Sequence, residues 1–240
     1  LTLYSCLYKY AIAQEPRETK HKFRHPKNTH IQKDLKRINY SGIVVLRSTV
    51  PVGTCDKLEC YFMPEFLTEK NFVQDFINNP DWIFGCLDTP HDGVFQHKMT
   101  ELFDLAHKNG RVKSKTLHFV SNKEAEMVKM FRNTFLATKV AFCNEISEFC
   151  NIKGINYSNV QTLATLDKRI GSGHSCVPGH DGRKGFGGTC FPKDTSSLRY
   201  EMQNSGMKSY VLDAIIERND KVDRPEKDWM EDKGRAAIDD

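Results

Sequence analysis

The sequence predicts an α/β layer followed by an all-α region, and three observations carry that expectation. Short β-branched runs alternate with helical patterns up to about residue 118, the rhythm of a parallel layer with helical crossovers. From Ser121 onward the apolar residues recur at helical spacing. Between the later helices lies a stretch, 171–188, with seven glycines in 18 residues, which excludes regular structure there. The expected boundaries are 1–118 for the α/β part, 119–220 for the helical part, and 221–240 for a charged tail or the start of a linker.

In the α/β part, Ile43-Val44-Val45-Leu46 is a β-branched run bounded by Gly42 and by Arg47-Ser48-Thr49. It reads as a buried strand that enters a turn at Pro51 and Gly53, with a helix from about Thr54. A second strand is expected over 58–63, ended by Pro64, which can open a helix carrying Glu65 and Glu69 on one face at i,i+4. Trp82 to Cys86 follows an Asn-Asn-Pro-Asp turn and reads as a third strand. His97 to Asn109 is a helix with Met99, Leu102, Phe103 and Leu105 on its apolar side, stopped by Gly110. Only about three strands are visible, a meagre sheet for a self-standing core.

The helical part opens with Ser121-Asn122-Lys123-Glu124, a capping box in which Ser121 caps and Glu124 reaches back. A long helix follows from about Lys123 to Asn151. Met127, Phe131, Phe135, Phe142, Ile146 and Phe149 give it one apolar face, which Val128, Leu136 and Val140 widen. Such a helix is sandwiched between neighbours or buried in a dimer. Gly154 ends it. Further helices are expected over 158–166, 194–203 (broken near Gly206) and 210–219, and the charged tail from Asp220 is expected to fray.

Composition narrows the class. Of 240 residues, 39% are hydrophobic and 28% charged, the balance of a soluble globular protein, and no apolar run reaches the roughly 18–20 residues that span a bilayer. The net charge is +4, yet residues 1–40 hold nine Lys/Arg against three Asp/Glu. The basic segment 17–37 has little aromatic interleaving, so a solvated linker with a short helix near 31–38 is preferred to a nucleic-acid footprint. The eight cysteines, at 6, 55, 60, 86, 143, 150, 176 and 190, include no C-x-x-C pair and no His/Cys cluster at zinc spacing. Several sit in apolar-periodic stretches, which points to buried free thiols, a reducing cytoplasmic setting and no metal.

The densest chemical constellation is Gly187-Gly188-Thr189-Cys190-Phe191-Pro192-Lys193-Asp194. Two glycines permit a tight turn that presents Cys190, while Lys193 and a helix starting near Asp194 favour its thiolate. A glycine-rich surface loop with an incidental cysteine is the plain alternative. Lys129 and Asn133 stand at i,i+4 on the long helix, ordinarily a solvated face unless a ligand meets it. Glu65 and Glu69 are surface glutamates by default; a general base with a tuned pKa is the sharper alternative. Thr49 lies at the carboxyl end of the first strand, where open α/β sheets bind ligands.

Four blocks occur in order: Ser48-Thr49-Val50-Pro51-Val52-Gly53-Thr54, Pro64-Glu65-Phe66-Leu67-Thr68-Glu69, Lys129…Asn133-Thr134-Phe135-Leu136-Ala137, and Gly187 to Asp194. Together they resemble the UDP-glucose/GDP-mannose 6-dehydrogenase family. The lead-in Asp167-Lys168-Arg169-Ile170-Gly171…His174…Pro178-Gly179…Gly185-Phe186 resembles the UDP-glucose branch more closely.

The resemblance implies a partial Rossmann-like NAD-binding sheet, a central helical dimerisation domain, and a four-electron oxidation of a nucleotide sugar, UDP-glucose foremost, with NAD as cofactor. It implies Cys190 as nucleophile, through a thiohemiacetal and a thioester, and Lys129 as the group that stabilises an oxyanion, with Asn133 its partner. Asp194 would handle water and protons, and Glu65 would be the base for thioester hydrolysis. Thr49 and Glu69 would lie beside the nicotinamide and Lys193 would reach NAD. Phe66, Leu67, Gly187 and Gly188 would meet the substrate, and helix 123–151 would form a homodimer. Neither a membrane nor nucleic acid is implied.

Two features depart from the family. The family's Gly-x-Gly-x-x-Gly loop for the NAD pyrophosphate is not found in residues 1–42, where Gly42 is the only glycine, and nothing after Asp220 resembles the family's last α/β domain. The alternatives are therefore an inactive dimerising remnant of the family, or a sibling acting on GDP-mannose or a UDP-N-acetylhexosamine. An unrelated cysteine hydrolase is a distant third, since no histidine is tied by position to Cys190.

Overall fold

A computed structural model of the chain describes residues 37–68 and 71–230. The basic segment, most of the helix expected over 31–38, Glu69, and the end of the tail lie outside the described residues. The chain divides into two compact units, the first running through Lys129 and the second from Met130.

The first unit is built on a mostly parallel, Rossmann-like four-stranded sheet in the order β1-β2-β3-β4. Its elements are β1 (Val45–Leu46), α1 (Thr54–Lys57), β2 (Tyr61–Phe62), α2 (Phe72–Asn78), β3 (Asp81–Cys86), α3 (Asp92–Lys108) and β4 (Thr116–Ser121). β1 pairs with β2 and β3 with β4 in parallel, the latter in register from Asp81↔Thr116 to Cys86↔Ser121. A single antiparallel pairing, Phe62↔Gly85, joins β2 to β3. Strand alternation sorts the core onto two faces. Tyr61, Met63, Trp82, Phe84 and Cys86 face α3 residues Phe95 and Phe103, while Cys60 and Phe62 join Val50, Cys55 and Ala125 on the other side. Phe84 is the hub of the first face, with ring centroids 5.9, 5.7 and 5.5 Å from Phe95, Phe103 and Phe119.

Three local expectations change. The sheet has a fourth strand, β4, whose Thr-Leu-His-Phe-Val-Ser sequence is half polar because one side of it is exposed. Residues 63–68 form no helix behind Pro64. The Glu65 carbonyl instead accepts a bond from Lys129 Nζ, and Thr68 donates from backbone and hydroxyl to the Asp75 carboxylate. α3 begins at Asp92, five residues before the expected start, since the Asp92 carboxylate accepts from the Asp88 amide and the Thr89 hydroxyl.

α4 (Asn122–Ile152) begins in the first unit and continues through the second; its 31 residues span about 46 Å. The capping box forms as expected: the Ser121 amide and hydroxyl donate to Glu124 Oε2 at 2.8 and 2.6 Å. Gly154, at φ +67°, stops the helix, with the Ile155 amide returning to the Cys150 carbonyl. Of the expected apolar face, Phe131, Phe135, Phe142 and Phe149 are exposed; the residues the helix buries instead include Met130, Ala137 and Ala141, which that expectation did not name. The second unit continues with α5 (Tyr157–Ala164), the irregular glycine-rich stretch, α6 (Phe191–Asn204) and α7 (Tyr210–Arg218). The chain does not fray at Asp220. Asn219–Asp223 is a π-helical turn, Asp228–Met230 a 3-10 turn, and Asn219, Asp223 and Arg224 are buried. Ion pairs of Arg224 to Asp181 and Asp228 give this charged segment a folded position.

Candidate functional site

Within the first unit the motif residues gather beyond β1 and beside the start of α4. Thr49 is buried in the loop that leaves β1. That loop is held by Glu126 of α4, a fully buried carboxylate that accepts from the Gly53 amide at 2.5 Å and the Cys55 amide at 2.8 Å. Gly53 sits at φ +83°, which a side chain would disfavour. Burial pushes the Glu126 carboxyl above its usual range, and the two amides pull it back only in part. Asn122, also fully buried, donates to Asp56 and to the Cys60 carbonyl.

Lys129 is not on a solvated face. It is buried, its Nζ donates to the Glu65 carbonyl at 2.6 Å, and it stands 5.9 Å from the Phe66 ring centroid. Arg47, directly after β1, is buried over the Phe76 ring, and its Nε has no hydrogen-bond partner among the described residues. Burial lowers the Arg47 pKa, while the nearby Glu65 opposes the shift. Leu67 packs against the aromatic core rather than standing free, and Glu69 lies outside the described residues.

Within the second unit, α6 starts earlier than the sequence suggests. Cys190 is its N-cap and Pro192 lies in its first turn, so the half-buried thiol stands at the helix start itself, the electropositive end. Asp194, one turn on, is fully buried. Asn133 Nδ2 donates to its Oδ2 at 2.5 Å; Oδ1 lies 3.8 Å from Lys193 Nζ and has no hydrogen-bond partner among the described residues. Thr189 Oγ1 is 3.9 Å from Cys190 Sγ. Gly188 turns the chain at φ +69°, and Gly187 lies so close to the Arg224 guanidinium that any Cβ would collide with it. The second unit thus brings together Asn133, Cys190, Lys193 and Asp194, and the first brings together Glu65, Phe66 and Lys129.

Sequence reasoning passed over Glu126, Asn122 and Arg47. A signal for the first two was present: Asn122, Glu126, Lys129 and Asn133 recur at steps of 4, 3 and 4, a polar stripe at the spacing of one helix face. A stripe of that kind inside an apolar-periodic helix marks buried polar partners.

Fold and site define a class: a Rossmann-like sheet followed by a helical unit that presents a cysteine at a helix start beside a buried Asp bonded to a half-buried Asn. Residues 123–221 match the UDP-glucose/GDP-mannose dehydrogenase family, central domain. The chain is similar to the UDP-glucose 6-dehydrogenases of Rickettsia bellii (32% identical, covering 79% of this chain and 43% of that protein) and Rhizobium meliloti (34%, covering 76% and 42%). It also resembles the structure of a UDP-glucose dehydrogenase from Pyrobaculum islandicum, with TM-score 0.61 and 28% identity over 74% of this chain and 41% of that one. Residues 123–221 are thus identified with the central domain of that family, and the similarity to the named dehydrogenases extends over about four fifths of the chain. It spans about two fifths of the length of the curated relatives it matches.

Proposed function

We propose that the chain serves an NAD-dependent nucleotide-sugar 6-dehydrogenase in which Cys190 is the nucleophile and UDP-glucose the substrate. The observation that carries the reading is Cys190 at the first turn of α6, one turn before a buried Asp194 held by Asn133. The relatives named above, UDP-glucose 6-dehydrogenases, support the substrate.

The first unit suits one end of the cofactor. Thr49 lies at the carboxyl edge of β1 in a loop locked by Glu126, with the buried Arg47, whose Nε is unpaired among the described residues, nearby in sequence. Thr49, Glu69 and Lys193 are the residues assigned to hold NAD; no Gly-x-Gly-x-x-Gly loop for its pyrophosphate occurs in the 240 residues. NAD, when bound, would accept one hydride at a time, so the two hydrides that separate the alcohol from the acyl level would call for two cofactor molecules in turn. The chain's own part is covalent. The sulfur of Cys190 bonds to the aldehyde carbon, giving a thiohemiacetal and then, at the acyl level, a thioester. Water adds to the thioester carbonyl, the C–S bond breaks, and the thiolate leaves a carboxylate. Lys129 is the cation assigned to the oxyanion and Glu65 the base assigned to hydrolysis. Asp194 Oδ1, buried and without a hydrogen-bond partner among the described residues, is suited to hold the water. Phe66, Leu67, Gly187 and Gly188 are assigned to the substrate.

The exposed Phe131, Phe135, Phe142 and Phe149 of α4 support a homodimer through that helix. Free thiols at all seven described cysteines suit a reducing, cytoplasmic setting. The test is alkylation of the full chain with iodoacetamide, followed residue by residue by mass spectrometry. Cys190 is expected to react ahead of the exposed Cys176, and UDP-glucose to protect it. Equal rates without protection would overturn the nucleophile, and protection by GDP-mannose or a UDP-N-acetylhexosamine alone would move the substrate to a sibling.

A further inference from the structure

The chain's approach to Cys190 is held by a clamp that lies wholly within the second unit. Residues 185–188 form no helix or strand. The backbone polar groups of Phe186 are instead taken by one side chain. The Phe186 amide donates to Asn219 Oδ1 at 2.8 Å, and Asn219 Nδ2 donates back to the Phe186 carbonyl at 3.0 Å. Asn219 is completely buried and Phe186 nearly so. One residue earlier, the Gly185 amide donates to Asn144 Oδ1 on α4 at 3.2 Å. One residue later, the Gly187 backbone rests on the Arg224 guanidinium.

Arg224 is itself 3% exposed, and each of its three guanidinium nitrogens donates a bond. Its Nε and Nη2 donate to the two oxygens of Asp228 at 2.6 Å each, and its Nη1 donates to Asp181 Oδ2 at 2.7 Å. Asp181 belongs to the glycine-rich stretch, so one buried cation ties that stretch at residue 181 and supports it at Gly187. The Arg224 amide also donates to the Asn219 carbonyl, which joins the two clamp residues into one turn.

Such an arrangement does more than fill space. A buried guanidinium needs ideal partners to be tolerated, and a pair of apolar side chains would pack the same volume without that cost. An amide bonded to both polar groups of one residue also selects a register. A slip of the chain by one residue would leave Oδ1 and Nδ2 of Asn219 unpaired in the interior. The clamp therefore anchors one particular residue, Phe186, four positions before the thiol at the start of α6.

We infer that Asn219 and Arg224 are positioning residues for Cys190: by holding residues 185–187 they determine where Gly188 turns and where the sulfur stands. The inference rests on the reading of Cys190 as the nucleophile, but its test does not depend on turnover. The full chain is compared with Asn219→Ala, Arg224→Met, Arg224→Lys and the milder Asp181→Asn. Two quantities are read, the ratio of iodoacetamide alkylation at Cys190 to that at Cys176, and hydrogen exchange at the Phe186 amide. Cys176 is a sound internal reference because its neighbour Ser175 is anchored separately, by Tyr157 and Gln161 of α5.

Loss of both Asn219 bonds is expected to speed Phe186 exchange about tenfold or more. The Cys190:Cys176 ratio should shift at least about threefold (upward, since the thiol is half-buried), with helix content unchanged. Arg224→Met should shift the ratio too, and Arg224→Lys, which keeps the charge, should restore part of it. A ratio unchanged in folded Asn219→Ala and Arg224→Met, despite faster Phe186 exchange, overturns the inference. If those two variants do not fold, an unchanged ratio in Asp181→Asn overturns it instead. Failure of the nucleophile reading is a different result: wild-type Cys190 left unprotected by UDP-glucose.

Discussion

Replacing Glu126 by Gln tests how the loop carrying Thr49 is held. The carboxylate uses both oxygens, Oε2 on the Gly53 amide at 2.5 Å and Oε1 on the Cys55 amide at 2.8 Å, and its side chain is completely buried. Glutamine keeps one acceptor and turns an NH2 group toward the other amide. One buried N–H is then unpaired, at a cost of about 1–3 kcal/mol; Glu126→Ala leaves two unpaired and should cost about 2–6 kcal/mol. The charge adds a pH signature. Because burial raises this carboxyl above its ordinary 4.5, the folded unit holds more protons than the unfolded chain just above that pH. Stability contributed here therefore falls as pH climbs from 4.5 through the folded value, and Glu126→Gln should remove that slope. The assay is urea unfolding of the full chain carrying Trp229→Phe, so that the buried Trp82 alone reports on the first unit. A Gln variant within about 0.5 kcal/mol of its parent, with Ala no worse, would refute the two-amide account.

Three further outcomes are expected. Phe84→Ala empties the hub of the aromatic core and should cost the first unit about 3–5 kcal/mol in the same urea assay; a loss under about 1 kcal/mol would mean the three rings around it are not packed as described. Gly154→Ala meets no atom within 4 Å, yet its φ of +67° should still cost about 1–2 kcal/mol in thermal unfolding; a stabilised variant would contradict the left-handed stop. Hydrogen bonds from Arg224 hold Asp228 below its ordinary 3.8, so this pair supports the second unit above that pH and its contribution is lost as pH falls through the lower folded value. Arg224→Met should flatten that acid limb, followed through Trp229 in a Trp82→Phe background, and an unchanged limb would count against the ion pair.

Much of the fold was legible because its signals are local. The Ser121–Glu124 capping box, the Gly154 stop and the irregular run 171–188 each rest on residues within a few positions of one another, and each stands where the sequence places it. The motif around Cys190 was legible in the same way, though the helix start lay three residues nearer the thiol than expected, because Pro192 sits in the first turn instead of preceding it. β4 was missed for a physical reason. A half-exposed parallel strand needs no continuous apolar run, since β3 supplies its six paired residues. The helix expected behind Pro64 failed because its first carbonyl bonds to a lysine 64 residues away.

By itself, then, the sequence determined the order of an α/β part and a helical part, the caps and stops of the long helix, and the residue types crowded around Cys190. Those follow from periodicity and from hydrogen bonds that close within one turn. Tertiary structure alone decided which polar groups are buried and what they hold. Glu126 reaches Gly53 across 73 positions, Asn133 reaches Asp194 across 61, and Asn219 reaches Phe186 across 33. A carboxylate or amide at such a distance carries no local mark of its partner. Its meaning appears only when folding removes water from both groups and leaves each with the other as its means of being satisfied.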